Sequence, residues 1–290
     1  MAKEYKISGF ADEIADSLEK QVEGLNKLRI RYIEIRGADG NNIIFHKQED
    51  VKRIKNRLDS AGIAVSSIGS PLGKIGIDAP FEKHFEDFKH AVDVAHYMNS
   101  QYIRMFSFYV PQKDSPDNAD KWETIREEVF SRIGRFVDYA NKNDIILLHE
   151  NEKGIYGEKA PECLELMERF YGDHFKAIFD FANFVQAGQD TLEAYGMLKD
   201  YIAYIHVKDA RMMDGKVMPA GYGDGNVKEI LRRLFENGFD GFLSLEPHLF
   251  DFKGFTQLEK GGKLNRLDMG VMSGFESFSL AYNALKEILP

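Results

Sequence analysis

One cysteine, Cys163, is all that the 290 residues contain. No intrachain disulfide can therefore staple the fold, which fits a reducing compartment. No run approaches the roughly 20 consecutive apolar residues of a membrane-spanning helix. The opening MAKEYKISGF carries no apolar signal segment. Basic residues are in deficit: 38 Lys and Arg stand against 47 Asp and Glu, a net charge of −9. Such a chain is a poor general binder of nucleic acid or anionic membrane, both of which need clustered positive charge. A local basic pocket for a small anion remains compatible with that balance. The expectation from these absences is a cytoplasmic protein that partners neither nucleic acid nor membrane. Also missing are a linker rich in Pro, Ser or Gly, a break in composition and any low-complexity tract.

What is present is a regular alternation. With 43% hydrophobic and 29% charged residues the chain has the apolar material for a large core. β-rich runs lie at 5–8, 31–35 (RYIEI), 63–68 (IAVSSI), 102–106 (YIRMF), 145–149, 175–179 (FKAIF), 202–207 (IAYIHV) and 241–245 (GFLSL). Helical spacing is expected over 11–28, 48–61, 81–98, 121–141, 161–171, 192–198, 227–237 and 275–289. Apolar positions there recur at three and four, as in Ile133, Phe136, Val137 and Ala140. Ala61-Gly62 and Asn237-Gly238 supply stop signals. Eight strand–helix units in one undivided chain predict an α/β fold, a closed (β/α)8 TIM barrel, as a single domain over 1–290. The competitor, an open doubly wound sheet, usually carries a glycine-rich phosphate turn after its first strand. Here the first strand runs into SGFADEIAD instead.

In such a barrel the active site lies at the C-terminal ends of the strands. ILLHENE ends the fifth run with Glu150, IFDFAN the sixth with Asp180, YIHVKDA the seventh with His206, and LSLEPH the eighth with Glu246. Four successive strands thus deliver oxygen and nitrogen ligands to one rim. The set suits one divalent ion such as Mn²⁺, Mg²⁺, Co²⁺ or Zn²⁺. Taken singly, a strand-end acid is as often a helix cap or a lysine partner, and a single strand histidine is more often structural. The coincidence on four successive strands carries the metal reading.

At these residues the chain resembles the xylose isomerase-like barrel superfamily, in particular its sugar phosphate isomerase/epimerase group. LLHENEKGIYGE, FDFANFVQAG, YIHVKDA, GYGDGNVKEIL and GFLSLEP carry the resemblance, which extends from SGFADEI to GFLSLEPHL. It implies metal ligation by Glu150, Asp180, His206 and Glu246. By likeness to the ketose 3-epimerases it also implies proton transfer by Glu150 and Glu246 on opposite faces of a small carbohydrate substrate. Those epimerases usually place a substrate-contacting histidine three positions after the Asp. This chain has Asn183 there, which can hydrogen-bond a hydroxyl but is no general acid near neutral pH. Arg211 is matched to an arginine that follows the His ligand. The chemistry implied is removal of a weakly acidic C–H proton beside a carbonyl. A metal stabilises the enediolate and a carboxylate takes the proton.

Further candidates for substrate contact are Lys208, Glu152, Ser70, Ser107 and His248. Lys208 could meet a phosphate or carboxylate, or pair with Asp209 or Glu246; the structural pairing is favoured. Glu152 and Lys153 line the pocket or are solvated. Ser70 and Ser107 end the third and fourth strands and offer hydroxyls. His248 shares a strand face with Glu246 if Pro247 permits. The glycine-rich 220–226 could cradle an anion; a loop in which Asn226 caps the next helix is preferred. Phe10 and Trp122 form an apolar wall or simply core, and Cys163 is packing. The stretch 250–269 is a candidate lid or subunit contact, so a homo-oligomer stays open. Three rivals accompany the isomerase/epimerase reading. One is a three-zinc nuclease like endonuclease IV, disfavoured by acidic balance and by Ser70 and Ser107 where histidines belong. Another is a metal-dependent dehydratase of a cyclitol or dehydroshikimate-like acid. The last is a non-catalytic sugar-binding protein, against which the complete ligand set argues.

Overall fold

Each of the eight apolar runs becomes a strand of one parallel sheet. The computed structural model describes residues 5–113, 119–249 and 272–290. The strands are β1 (Lys6–Gly9), β2 (Tyr32–Ile35), β3 (Ala64–Ile68), β4 (Tyr102–Met105), β5 (Ile146–Glu150), β6 (Phe175–Asp180), β7 (Ile202–Val207) and β8 (Phe242–Leu245). Hydrogen bonding runs β1–β8–β7–β6–β5–β4–β3–β2, and β1 lies against β2, so the sheet is a nearly closed barrel. The outer layer holds α1 (Leu18–Lys27), α2 (Gln48–Ser60), α3 (Phe81–Met98), α4 (Trp122–Lys142), α5 (Ala160–Phe170), α6 (Phe181–Gln186), α7 (Thr191–Leu198), α8 (Val227–Glu236) and α9 (Gly274–Ile288). Among the described residues no helix is long and apolar enough to cross a membrane.

The alternation of side chains along a strand explains how an apolar run can end in charge. On β5, Leu147 joins the main core between sheet and helices, whereas Leu148 belongs to a separate cluster with Ile178 and Tyr204. That second cluster is the barrel's own interior. Two residues further on, the same inward face presents Glu150, Asp180 and His206. Register then sets neighbours side by side, with Asp180 opposite His206 and His206 opposite Ser244. Between floor and mouth lies a buried polar layer: Ser8 Oγ is 2.6 Å from Ser66 Oγ, which is 2.9 Å from the Tyr204 hydroxyl.

The structure departs from the expected elements at three places. The stretch 11–28 is not one helix: a 3-10 turn at Ala11–Glu13 precedes α1, and Ser17 between them is extended. The break lets Asp12 and Glu13 reach inward to Arg36. An extra short helix, α6, starts directly after β6 because the Asp180 side chain caps it, accepting from Asn183 N at 2.9 Å. Two small hairpins, 37–38 with 41–42 and 209–210 with 217–218, sit outside the barrel sheet. The stretch 250–269, a candidate lid or subunit contact, lies outside the described residues.

Candidate metal centre

Glu150, Asp180, His206 and Glu246 converge at the C-terminal end of the barrel. All four are buried, and one ligand atom from each falls within 4.8 Å of every other. His206 Nδ1 lies 3.0 Å from Glu150 Oε1, 3.5 Å from Glu246 Oε2 and 3.8 Å from Asp180 Oδ2. Despite that crowding, Asp180 Oδ2 and His206 Nδ1 have no well-oriented hydrogen-bond partner among the described residues. Buried polar atoms are normally hydrogen-bonded; these two instead meet charged groups, Lys208 Nζ at 3.1 Å from Asp180 Oδ2 and Glu150 Oε1 at 3.0 Å from His206 Nδ1, in a cluster of oxygen and nitrogen donors of the kind a cation site requires. The residues present therefore fit a divalent ion.

Cations of the chain surround this cluster. Arg104, on β4, reaches Glu150 Oε2 at 3.1 Å and Glu246 Oε1 at 3.6 Å. Arg36, just past β2, bonds Glu246 at 3.0 Å, Asp12 at 2.8 Å and Glu13 at 3.2 Å. Lys208 Nζ sits 3.1 Å from Asp180 Oδ2 and 3.0 Å from Glu246 Oε2. The Phe10 ring is near both guanidiniums, at 4.4 Å from Arg36 and 4.8 Å from Arg104, a favourable cation–π arrangement. Gly69 is needed beside it, since a Cβ there would meet the Phe10 ring at 2.6 Å.

These neighbours decide the protonation states. Burial raises the Glu150 carboxyl, but His206 and Arg104 outweigh it and bring it to about 2. Burial likewise opposes ionisation of Glu246, and Lys208 and His248 hold it well below the usual range. Asp180 goes the other way: burial, joined by Glu150 and Glu246 and opposed by Lys208, lifts it to about 7. His206 is pushed well above its ordinary value by Glu150 and Glu34 in spite of its burial. An incoming divalent ion must therefore displace protons from His206 and Asp180. Affinity for Mn²⁺ is expected to weaken as pH falls through about 7, by up to about tenfold per pH unit for each proton displaced. Calorimetric titrations at pH 6, 7 and 8 in buffers of different ionisation enthalpy check both the slope and the proton release. A pH-independent affinity without proton release counts against the assignment.

The remaining candidates distribute unevenly. Asn183 is at the site: its amide donates to Glu150 Oε1 at 3.3 Å and to the Asn151 carbonyl at 2.9 Å. His248 is alongside, with Nε2 3.5 Å from both Glu13 Oε1 and Glu246 Oε1. Glu152 pairs with Lys74 at 2.7 Å. Ser70 and Ser107 are fully buried and bond backbone, Ser70 Oγ donating to the Arg104 carbonyl and Ser107 Oγ accepting from Gly157 N at 2.8 Å. Arg211 forks onto Asp214 within the 209–218 hairpin. The structure does not bring these last three into contact with the four ligands. Trp122 stacks on Tyr156 at 5.5 Å, apart from Phe10. Cys163 is buried, and burial pushes its thiol pKa up, in keeping with packing. Residues missing from the sequence reading are Arg36, Arg104, Glu34, Asp12 and Glu13. A signal existed for two of them, Glu34 inside RYIEI and Arg104 inside YIRMF, since the interior of a doubly buried strand should carry no charge.

The glycine-rich loop is an anion cradle, filled by the chain itself. Asp209 accepts from Gly221 N at 3.0 Å, Gly223 N at 2.9 Å, Gly225 N at 2.9 Å and Ala210 N at 2.8 Å. A Cβ on Gly223 would lie 2.4 Å from the Ala210 carbonyl oxygen, so only glycine allows this approach. Asn226 does occupy the N-cap position of α8, but its side chain makes no capping bond and instead donates to Thr191. Asp209→Ala is expected to cost about 2–3 kcal/mol, the scale of hydrogen bonds to a charged acceptor. Urea unfolding beside wild type measures it; a loss below about 0.5 kcal/mol would sink the account.

A parallel eight-stranded α/β barrel with a Glu, Asp, His, Glu rim is the class that fold and site define. The chain belongs to the xylose isomerase-like TIM barrel family, whose model matches residues 23–261. Inosose dehydratase of Clostridium perfringens is 22% identical over 146 residues, 44% of this chain and 48% of that protein. The chain spans about half the length of the curated relatives it matches. Among solved structures, D-allulose 3-epimerase from Methylomonas sp. in complex with D-allulose aligns with a TM-score of 0.70 at 17% identity, covering 99% of this chain and 96% of that one. The IOLI protein with a zinc atom bound aligns with a TM-score of 0.72 at 16% identity, covering 98% of each chain. At such identities the structural likeness speaks for the fold.

Proposed function

We propose that the chain is a divalent-metal-dependent isomerase or epimerase of a small carbohydrate, working by proton transfer at a carbon next to a carbonyl. One observation carries the reading: four potential ligand atoms from consecutive strands lie within 4.8 Å of one another at the barrel mouth. A cation held by Glu150, Asp180, His206 and Glu246 would supply Lewis-acid polarisation of the substrate carbonyl and so acidify the neighbouring C–H. Glu150 and Glu246 are the candidate proton carriers. Both ionise below the usual carboxylate range, so they are available as bases at any working pH but are weak ones. The reaction thus depends on acidifying the substrate more than on a strong base. Asn183 and Arg104 hold Glu150 from two sides, which fixes its direction toward the substrate. Lys208 and His248, both beside Glu246, are candidates for substrate hydroxyls or an anionic substituent, and Glu152 for a hydroxyl.

A second reading, dehydration of a cyclitol or similar hydroxyketone, is favoured by Lys208. Its ammonium, buried between Asp180 and Glu246, could protonate a departing hydroxyl after the same C–H abstraction. The inosose dehydratase likeness points the same way. The nuclease rival loses ground, since the described ends of β3 and β4 supply Ser70 and Ser107, whose hydroxyls bond backbone. A panel of ketoses, ketose phosphates and inososes, incubated with Mn²⁺-loaded protein in D₂O, tests both readings. Deuterium at an inverted or isomerised carbon supports the first. A product lighter by one water supports the second. Absence of both, with metal bound, would leave a binding protein.

A further inference from the structure

Glu34 is fully buried at the middle of β2, one layer below the rim, and nothing so far gives it a task. Its Oε2 lies 3.1 Å from His206 Nε2. The other ring nitrogen of His206, Nδ1, is the one that faces Glu150, Asp180 and Glu246. The imidazole therefore spans two environments, with its far edge on Glu34 and its near edge in the ligand cluster. Its plane is held by edge contacts with Phe10 at 5.2 Å and Tyr204 at 5.9 Å. Tyr204 is in turn pinned through Ser66 to Ser8. Among the described residues no Lys or Arg forms an ion pair with Glu34, and His206 is its charged partner.

A neutral imidazole has one N–H and one lone pair. Carboxylates face both nitrogens here, Glu34 at Nε2 and Glu150 at Nδ1; with a cation among the acids on the Nδ1 side, Glu34 is the carboxylate left to hold the proton, and Nδ1 is free to ligate. We propose that Glu34 is a positioning residue that keeps the proton of His206 on Nε2, so that the Nδ1 lone pair faces a divalent cation held with Glu150, Asp180 and Glu246. The inference rests on the metal reading above and adds a residue that sets how tightly the ion is held. A carboxylate behind a ligating histidine also raises that ligand's basicity, and losing such a partner typically costs about 10–100-fold in metal affinity. A merely structural carboxylate would behave otherwise. Removing one partner of a buried pair would then cost stability but leave ion binding unchanged.

The test is calorimetric titration of the metal-stripped full chain with Mn²⁺ alone, for wild type, Glu34→Gln and Glu34→Leu, with melting temperatures taken in parallel. Glu34→Gln keeps the shape and an acceptor oxygen, so about a tenfold weaker Kd is expected; Glu34→Leu is expected near 100-fold. In zinc-loaded wild type, two-bond ¹⁵N–¹H correlations should show the His206 proton on Nε2. Affinities within twofold of wild type in both variants, or a proton on Nδ1, overturn the proposal. Should Glu34→Leu fail to fold, the isosteric Glu34→Gln carries the affinity test. A wild-type protein that binds no divalent ion overturns the metal reading itself. Tight binding that ignores Glu34 removes only this inference.

Discussion

Turnover by the Glu150→Gln protein is expected to fall by about 10²–10⁴-fold on the true substrate, the contribution typical of a positioned general base. The amide preserves the shape of the side chain and can still accept from Asn183, so the barrel should remain folded. It cannot take a proton, and it is a poorer ligand than a carboxylate for a hard divalent ion. Elemental analysis separates the two losses. With Glu150→Gln alone, ion content should drop partially, because Asp180, His206 and Glu246 remain within ligand distance. With Glu150→Gln/Asp180→Asn, the expected one ion per chain should be lost altogether. Glu246→Gln should match the loss in turnover but cost more stability, since Glu246 answers Arg36, Arg104 and Lys208 at once. Near-wild-type kcat in either single variant would end the two-carboxylate mechanism. Full ion content in the double variant would end the metal assignment.

How far this site was legible depended on the distance between partners along the chain. The four rim residues could be read because each stands where its own apolar run stops, which is local information. Asn183 could be placed near Asp180 for the same reason, three positions on. Arg36 and Arg104 could not be placed, because their partners are remote: Arg36 bonds Asp12 across 24 positions and Glu246 across 210, and Arg104 bonds Glu150 across 46. Glu34 and His206 are 172 positions apart. In RYIEI and YIRMF a charge alternating with apolar residues looks like the wet face of a half-exposed strand. Only ring closure turns that face into a dry interior, where the charge must find a partner. Ser70 and Ser107 illustrate the converse. Strand-end position was right for a site, but a short side chain can turn to the nearest carbonyl or amide, and both did. The expected helix over 11–28 failed for a related reason: its periodicity is helical, yet Asp12 and Glu13 are drawn toward Arg36 before the helix can start.

That same convergence makes Arg36 the position whose loss should cost the fold most. Burial alone opposes its charge, and Asp12, Glu13 and Glu246 together more than restore it. Arg36→Met keeps the length and apolar stem but leaves three buried carboxylates without their shared cation. Removing one member of a buried ion network typically costs about 3–5 kcal/mol, which for a chain of this size corresponds to a melting-temperature drop of about 10 °C. The pH dependence gives the loss a signature. Glu13 is already raised by burial, against the pull of His248 and Arg36; without Arg36 it should rise further. Between the unfolded carboxyl value and that raised one, the folded state then binds more protons than the unfolded state. Stability of the variant should therefore fall as pH increases through the window, and recover on mild acidification. Wild type should show a shallower dependence there, because Arg36 restrains the rise. Adding Glu13→Gln to Arg36→Met should return part of the lost stability, since one stranded charge disappears; the double-mutant cycle measures how much of the deficit is charge. Urea unfolding of the four proteins at pH 5.5 and 8 decides the matter. An equal loss at both pH values, with no rescue by Glu13→Gln, would mean that Arg36 acts through its packing against Phe10 and not as the counter-ion that keeps the acids of the barrel mouth apart from one another.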